Sequence, residues 1–78
     1  MYPVELSLSR PRKVLTEREE DVLIEIINGK NNNGIAKKLC ISVHTVKFHV
    51  TSILHKFGVS RREELIIKAI IEGWVDIV

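Results

Sequence analysis

Helix-ending signals divide this chain of 78 residues into four short segments. Asn28-Gly29, Gly58 and Gly73 each follow a segment whose apolar residues recur at helical spacing, and glycine takes the left-handed conformation at a helix end without steric penalty. Cys40-Ile41 makes a tight turn between the second and third segments. No segment keeps a sustained period of two. We therefore predict an all-α, four-helix bundle-like domain with short connections, whose helices span about 16–28, 32–39, 43–57 and 61–72.

Polar residues at the helix starts support these boundaries. Thr16 and Glu19 are spaced as a capping box, in which the threonine oxygen accepts from a first-turn amide and the glutamate accepts from the amide of the capping residue. Ser60 and Glu63 repeat the pattern before the fourth helix. Ser42 precedes the third helix, where it can cap the first turn.

The N-terminal residues have a different character from the rest. Residues 1–13 lack helical periodicity and contain both prolines of the chain, so they are predicted to be an arm or linker, with the folded domain at 14–78. Val4, Leu6 and Leu8 alternate with polar residues, which leaves a short strand-like contact open. The hydrophobic content of 45% suits a packed core.

Several functional classes are disfavoured by composition. One cysteine excludes an internal disulfide, and the absence of an apolar signal core fits a cytoplasmic protein. The apolar runs are too short to span a membrane. The sequence contains no Gly-rich phosphate-binding loop, and we expect neither a cofactor nor a small-molecule ligand. His44 and His49 lie about 140° apart on one helix, so they cannot converge with Cys40 or His55 on a metal. With no nucleophile–base arrangement, an enzyme is not expected.

The charge distribution points to a polyanion. Between Ile26 and Arg62 the chain has no Asp or Glu, so a net charge of +2 conceals a segment with seven basic residues: Lys30, Lys37, Lys38, Lys47, Lys56, Arg61 and Arg62. Clustered cations favour nucleic acid, because neutralised phosphates release counterions. A solvated basic face is the alternative. It is less favoured because the charges flank a helix suited to a groove, and we predict binding of double-stranded DNA.

The third helix has two distinct faces. Four apolar residues share a narrow arc that should face the core: Val46, Val50, Ile53 and Phe57. Opposite them lie His44, Lys47, Phe48, Thr51 and His55. Lysine can donate to guanine, and the methyl of threonine and the ring of phenylalanine can touch thymine. We therefore predict base contacts by Lys47, Phe48 and Thr51, then His44, and last His55.

Other readings of these residues stay open. Lys47 can contact phosphate alone, since most protein–DNA hydrogen bonds go to the backbone. Phe48 can be a chance exposed apolar residue. Thr45, Ser52 and Lys56 flank the stripe where phosphates should run. His49 lies at the edge of the core arc, where a half-buried histidine and a phosphate contact are both possible.

The second helix begins with three asparagines, Asn31-Asn32-Asn33. One can cap the helix, and the first-turn amides favour an anion at the positive end of the helix dipole. We predict phosphate contacts by Asn32 and Asn33, with simple capping as the alternative.

The fourth helix is apolar on two sides. Leu65, Ile66 and Ala69 share an arc that can pack on the other helices. Ile67 and Ile71 lie more than about 90° away, and Trp74 continues their line if the helix persists. This second stripe is predicted to form a homodimer interface. The alternative is that Trp74 folds back onto its own core.

Sequence motifs from Leu15 to about Ile71 resemble the LuxR/FixJ-type (GerE-like) helix-turn-helix family. They are Leu15-Thr16, Arg18-Glu19, Val22-Leu23, Gly29, Ile35-Ala36, Leu39, Ile41-Ser42, Thr45-Val46-Lys47, His49, Lys56, Gly58-Val59 and Arg62. The resemblance implies a bacterial transcription regulator whose third helix lies in the major groove and which dimerises through the fourth. It implies base reading by Lys47, Phe48 and Thr51, and backbone contacts near Asn32, Thr45 and His49.

One departure bears on stability, and two functional alternatives stay open. Gly34 stands where the family usually has glutamate, and glycine in a helix costs up to about 1 kcal/mol relative to alanine. A sigma-factor region-4-like promoter module is the first alternative, although its recognition helix would be richer in Arg and Glu. A protein-only antagonist of related regulators is the second. RNA polymerase stays an open candidate partner, and the target site and the sense of regulation are not fixed by these residues.

Overall fold

The computed structural model describes residues 5–6 and 15–76, which form four helices and two short strands. In chain order they are β1 (Glu5–Leu6), α1 (Glu17–Ile27), α2 (Asn32–Leu39), α3 (Val43–Phe57), α4 (Arg62–Ile71) and β2 (Val75–Asp76). The predicted four-helix architecture is confirmed. The bounds of α2 and α3 are as predicted, whereas α1 and α4 are one residue shorter at each end.

The two strands form a small antiparallel ladder that joins the ends of the described chain. Glu5 lies opposite Asp76, and Leu6 lies opposite Val75. The strand-like contact left open for the alternating residues near Leu6 is therefore present. Val4, Leu8 and the remainder of the predicted arm lie outside the described residues.

The core lies between α3 and the other helices, because α3 contacts α1, α2 and α4. Its largest fully buried side chains are Phe57, Leu23, Ile26, Ile35, Ile53, Leu65, Val22 and Val46. The predicted core arc of α3 is confirmed. Burying this apolar surface is the main favourable contribution to folding, at about 25 cal/mol per Å².

The residues that follow the fourth helix differ from the prediction. Trp74 is buried at 3% exposure, and its ring centroid lies 5.5 Å from that of Phe57. The prediction that Trp74 extends the exposed stripe is therefore wrong, because α4 ends at Ile71 and the chain turns the indole back into its own core.

The start of α4 is capped one residue later than predicted. Glu64, and not Glu63, accepts from the backbone amides of Ser60 at 3.0 Å and Arg61 at 3.2 Å. The Ser60–Glu63 capping box is therefore wrong, because Arg61 occupies the capping position and Glu64 is the third helical residue after it. The Thr16–Glu19 box is confirmed by both of its hydrogen bonds.

The turn between α2 and α3 contains the one described non-glycine residue with a positive φ. Cys40 ends α2 with φ 59° and ψ 44°. The amide of Ile41 then donates to the carbonyl of Ala36 at 3.0 Å. This left-handed residue reverses the chain within two positions, which sets the start of α3 close to α2.

Candidate nucleic-acid interface

The face of α3 opposite the core is exposed along its length. His44, Lys47, Thr51 and His55 are all exposed, and Phe48 is 68% exposed. A large apolar side chain therefore stands in solvent among hydrogen-bonding groups. In this arrangement, donors and an apolar contact surface project together from one helix, as reading of base edges requires.

His49 lies beside this face. It is half-buried, and its ring makes an edge contact with the ring of Phe48, with centroids 5.8 Å apart. The half-buried position expected for His49 is confirmed.

The first turn of α3 is fixed by a pair of hydroxyl groups. The Thr45 amide donates to Ser42 Oγ at 3.0 Å, which confirms Ser42 as the cap. Ser42 Oγ and Thr45 Oγ1 also share a hydrogen bond of 2.9 Å. Thr45, which is predicted to touch phosphate, is half-buried. Its hydroxyl group also takes part in the cap.

A buried carboxylate joins α1 to α3. Glu19 is 4% exposed, and its Oε2 accepts from Ser52 Oγ at 2.5 Å while its Oε1 accepts from Lys56 Nζ at 2.7 Å. Oε1 also accepts from the Thr16 amide at 2.9 Å. The same side chain therefore caps α1 and anchors two successive turns of α3. We call Glu19, Ser52 and Lys56 the carboxylate clamp.

The clamp shifts the acidity of its carboxyl group. Burial alone would raise the pKa of Glu19, but the hydrogen bonds from Lys56, Ser52 and the Thr16 amide outweigh it and lower the pKa from 4.5 to about 2. Charged hydrogen bonds of this kind favour the ionised form. Glu19 is therefore a carboxylate at neutral pH.

The clamp contains two residues that are predicted to contact phosphate, Ser52 and Lys56. Both polar groups are directed to Glu19, and the Lys56 side chain is only 33% exposed. Lys30 is also paired, since its Nζ lies 3.3 Å from Glu25 Oε1. The basic segment is therefore partly neutralised by acids outside it: Glu19, which is distant in sequence, pairs with Lys56, and Glu25, just before the segment, pairs with Lys30. Among its other basic residues, those with exposed side chains are Lys37, Lys38, Lys47 and Arg61.

The asparagines at the start of α2 have separate roles. Asn31 is the cap, since its Oδ1 accepts from the Gly34 amide at 2.8 Å. Asn32 Oδ1 accepts from Arg62 Nη1 at 2.6 Å, and Arg62 Nη2 donates to the Lys30 carbonyl at 3.0 Å. Asn33 is exposed. This role of Arg62 is not predictable from the sequence, because no local pattern relates residues thirty positions apart.

The exposed stripe of α4 differs from the predicted one. Ile67 is 59% exposed and Ile71 is 77% exposed, as expected for the outer side of the helix. Ile70 is 41% exposed and belongs to the same patch. The patch therefore consists of Ile67, Ile70 and Ile71, without Trp74.

Other kinds of site find no support among the described residues. No group of three or more His, Cys, Asp or Glu side chains there is placed to hold a metal ion. No helix in the described part of the chain combines the length and apolar character needed to cross a bilayer.

Comparison with known proteins gives a consistent result. Residues 13–69 match the family described as bacterial regulatory proteins, luxR family. The transcriptional regulatory protein DegU of Brevibacillus brevis is 38% identical over 73 residues, which cover 94% of this chain and 31% of DegU. The region matched by the family, residues 13–69, contains all of α1, α2 and α3 and most of α4.

Two solved structures are similar in fold and sequence. Vibrio cholerae VqmA, described as a dimer among LuxR-type receptors, superposes with a TM-score of 0.79 at 32% identity over 87% of this chain and 31% of VqmA. The DNA-binding domain of the response regulator ComA, solved with the anti-activator RapF, gives 0.69 at 38% identity over 72% of this chain and 97% of that domain. The chain thus spans less than a third of DegU or VqmA.

Proposed function

We propose a DNA-binding mode for this chain, which belongs to the luxR family of bacterial regulatory proteins and is a DNA-binding domain of the type found in those transcription regulators. In this mode α3 lies in the major groove of double-stranded DNA and α2 lies across the backbone. The relatives are named as regulators and not as enzymes, and we infer a binding role without catalysis. Since bacterial DNA is cytoplasmic, so is the inferred location.

The observation that carries this proposal is the composition of the exposed face of α3. Lys47 and Thr51 stand on the same side of the helix as Phe48, which is 68% exposed although the opposite side is fully packed. Leaving a large apolar ring in water is unfavourable unless a partner covers it, and the methyl group of thymine is such a partner. We assign base contacts to Lys47, Phe48 and Thr51, with His44 next to them.

Backbone contacts are assigned to the groups around this face. Asn32 and Asn33 lie in the first turn of α2, Thr45 lies in the first turn of α3, and His49 lies beside Phe48 on α3. Lys37 and Lys38 add charge on the exposed side of α2. Ser52 and Lys56 are left out of the assignment because the carboxylate clamp holds them.

A comparison of two lysines tests the reading role. With a site selected from random DNA, Lys47→Ala should weaken specific binding by about 1–3 kcal/mol and non-specific binding much less. Lys38→Ala is the matched control, because Lys38 is exposed on α2 and should weaken both equally. Fluorescence anisotropy on the selected duplex and on a scrambled duplex measures both losses. Equal factors for Lys47→Ala would make Lys47 a phosphate contact.

The ionic contribution is tested by a salt titration. Log K should fall with log salt at a slope of about −0.9 per phosphate neutralised. Because Lys30 and Lys56 are paired within the chain, Lys56→Ala should leave this slope nearly unchanged, whereas Lys38→Ala should reduce it. A slope near zero for the wild-type protein would remove the electrostatic part of the proposal.

We also propose that α4 forms a homodimer interface on DNA. The patch of Ile67, Ile70 and Ile71 is the exposed apolar surface of a short helix, and a twofold axis through it would bury the patch against itself. The similarity to VqmA, which is described as a dimer, supports this. Such a pair would present two α3 helices to half-sites about one turn apart.

Introducing negative charges into the patch tests the dimer. Ile67→Glu combined with Ile71→Glu should convert cooperative binding to a two-half-site duplex into independent, weaker binding of single subunits. Glu63→Gln, at an exposed position near the start of the same helix, is the control. Analytical ultracentrifugation of the complexes gives the stoichiometry. Unchanged affinity and stoichiometry in the double variant would refute the α4 dimer and leave the assignment of α3 intact.

A further inference from the structure

Arg62 makes a two-pronged contact between α4 and the start of α2. Its Nη1 donates to Asn32 Oδ1 at 2.6 Å, and its Nη2 donates to the Lys30 carbonyl at 3.0 Å. Arg62 is half-buried and is the first residue of α4. The contact therefore ties the beginning of one helix to the turn that precedes another.

The geometry matters because the Asn32 side chain is chemically two-sided. A carboxamide has one oxygen that accepts and one NH₂ group that donates two hydrogen bonds. In the observed arrangement the oxygen faces the Arg62 guanidinium, so the NH₂ group points away from it. A phosphate oxygen only accepts, so only this orientation of Asn32 suits a DNA backbone.

The second prong makes this orientation specific to arginine. The guanidinium is planar and presents parallel N–H donors, so the hydrogen bond to the Lys30 carbonyl fixes the plane from which the other nitrogen meets Asn32. A lysine has the same charge but a single nitrogen on a flexible stem. It cannot reproduce both contacts in this geometry.

We propose that Arg62 is a positioning residue for DNA binding: it fixes the Asn32 carboxamide with its NH₂ group turned toward a backbone phosphate. This inference rests on the proposed DNA-binding function and on the phosphate contact assigned to Asn32. In addition to its proposed role in the dimer, α4 would then orient the Asn32 side chain on α2 for contact with DNA.

A double-mutant cycle on duplex DNA tests the inference. Binding of the selected duplex is measured by anisotropy for wild type, Asn32→Ala, Arg62→Lys and the double variant. Each single change should weaken binding about three- to tenfold, as expected for the loss of one typical hydrogen bond. The double variant should lose no more than either single variant, because Arg62 acts through Asn32.

Two further measurements separate positioning from charge and from general stability. Arg61→Lys makes the same chemical change at the adjacent, exposed arginine and should bind within about twofold of wild type, as expected for a surface substitution. The side-chain amide resonances of Asn32 in the free protein should shift in Arg62→Lys and stay unchanged in Arg61→Lys. If Arg62 had only a general structural role, Arg62→Lys would lower the affinity for DNA by the same factor in the wild-type protein and in the Asn32→Ala variant.

The possible failures are distinct. If Arg62→Lys binds like wild type, if Asn32→Ala has no effect, or if the two losses multiply, the inference is overturned while DNA binding stands. If the wild-type protein binds no duplex, the proposed function is refuted as well.

Discussion

Neutralising Glu19 should strongly destabilise the fold, because its carboxylate is the centre of the carboxylate clamp. The pKa of Glu19 is lowered from 4.5 to about 2, despite burial, by the hydrogen bonds from Lys56, Ser52 and the Thr16 amide. At about 1.4 kcal/mol per pKa unit, this difference sets an upper value of about 3 kcal/mol at neutral pH. Glu19→Gln keeps the size and one acceptor but removes the negative charge that the Lys56 ammonium contacts.

The expected loss for Glu19→Gln is about 2–3 kcal/mol in the free energy of unfolding, or roughly 10–20 °C in Tm for a domain of this size. Urea unfolding followed by circular dichroism at neutral pH measures it. Glu17→Gln is the matched control, since Glu17 is an exposed glutamate in the first turn of the same helix and should change stability by less than about 0.5 kcal/mol.

The pH dependence gives an independent check on the same carboxylate. Because the folded pKa of Glu19 lies below the unfolded value of 4.5, its contribution is fully present well above pH 4.5 and disappears as the pH falls toward about 2. The difference between wild type and Glu19→Gln should shrink across that window. Equal stability of the two proteins at neutral pH, or a difference that does not vary with pH, would refute the role of the clamp.

Substitutions at three other positions test local features of the backbone and core. Gly34→Ala should stabilise α2 by about 0.5–1 kcal/mol, because a Cβ there meets its nearest neighbour, Asn31 Oδ1, at 3.4 Å, which is ordinary contact; thermal unfolding would show a lower Tm if the site were strained. Cys40→Gly should be at least as stable as wild type and Cys40→Val clearly less stable, because φ is 59°; the reverse order in urea would contradict this left-handed turn. Trp74→Ala should lower the free energy of unfolding by about 3–5 kcal/mol, because the indole is buried. An unchanged free energy of unfolding would contradict the burial of Trp74.

The helices were predictable because their signals are local. Thr16, Ser42 and Gly58 each act within one or two helical turns, so their effect can be read without knowing the fold. The error at α4 has the same origin. Glu63 and Glu64 are adjacent, and either could serve as the glutamate of a capping box, so the choice depended on where the preceding loop places Ser60 and Arg61.

The contacts that the sequence did not predict join residues that are distant in the chain. Lys56 lies 37 residues from Glu19, and Arg62 lies 30 residues from Asn32. A count of charges in a segment cannot include a carboxylate that packing brings from another helix. Trp74 follows the same rule, since helical periodicity places it on the outer stripe only if the helix continues, and the chain turns at Gly73.

If α3 reads DNA as proposed, its division into two sides would allow one scaffold to serve different DNA sites. On one side its position is fixed by the buried arc and by the hydrogen bonds of Ser52 and Lys56 to Glu19. On the other side Phe48 and Thr51 are exposed and contribute little to packing, so substitutions there should change stability by only about 0.5 kcal/mol. The target sequence can therefore change at these positions without loss of the fold. Positions that contact Glu19 lack this freedom, because removing either hydrogen-bonding partner leaves a buried charge less well satisfied.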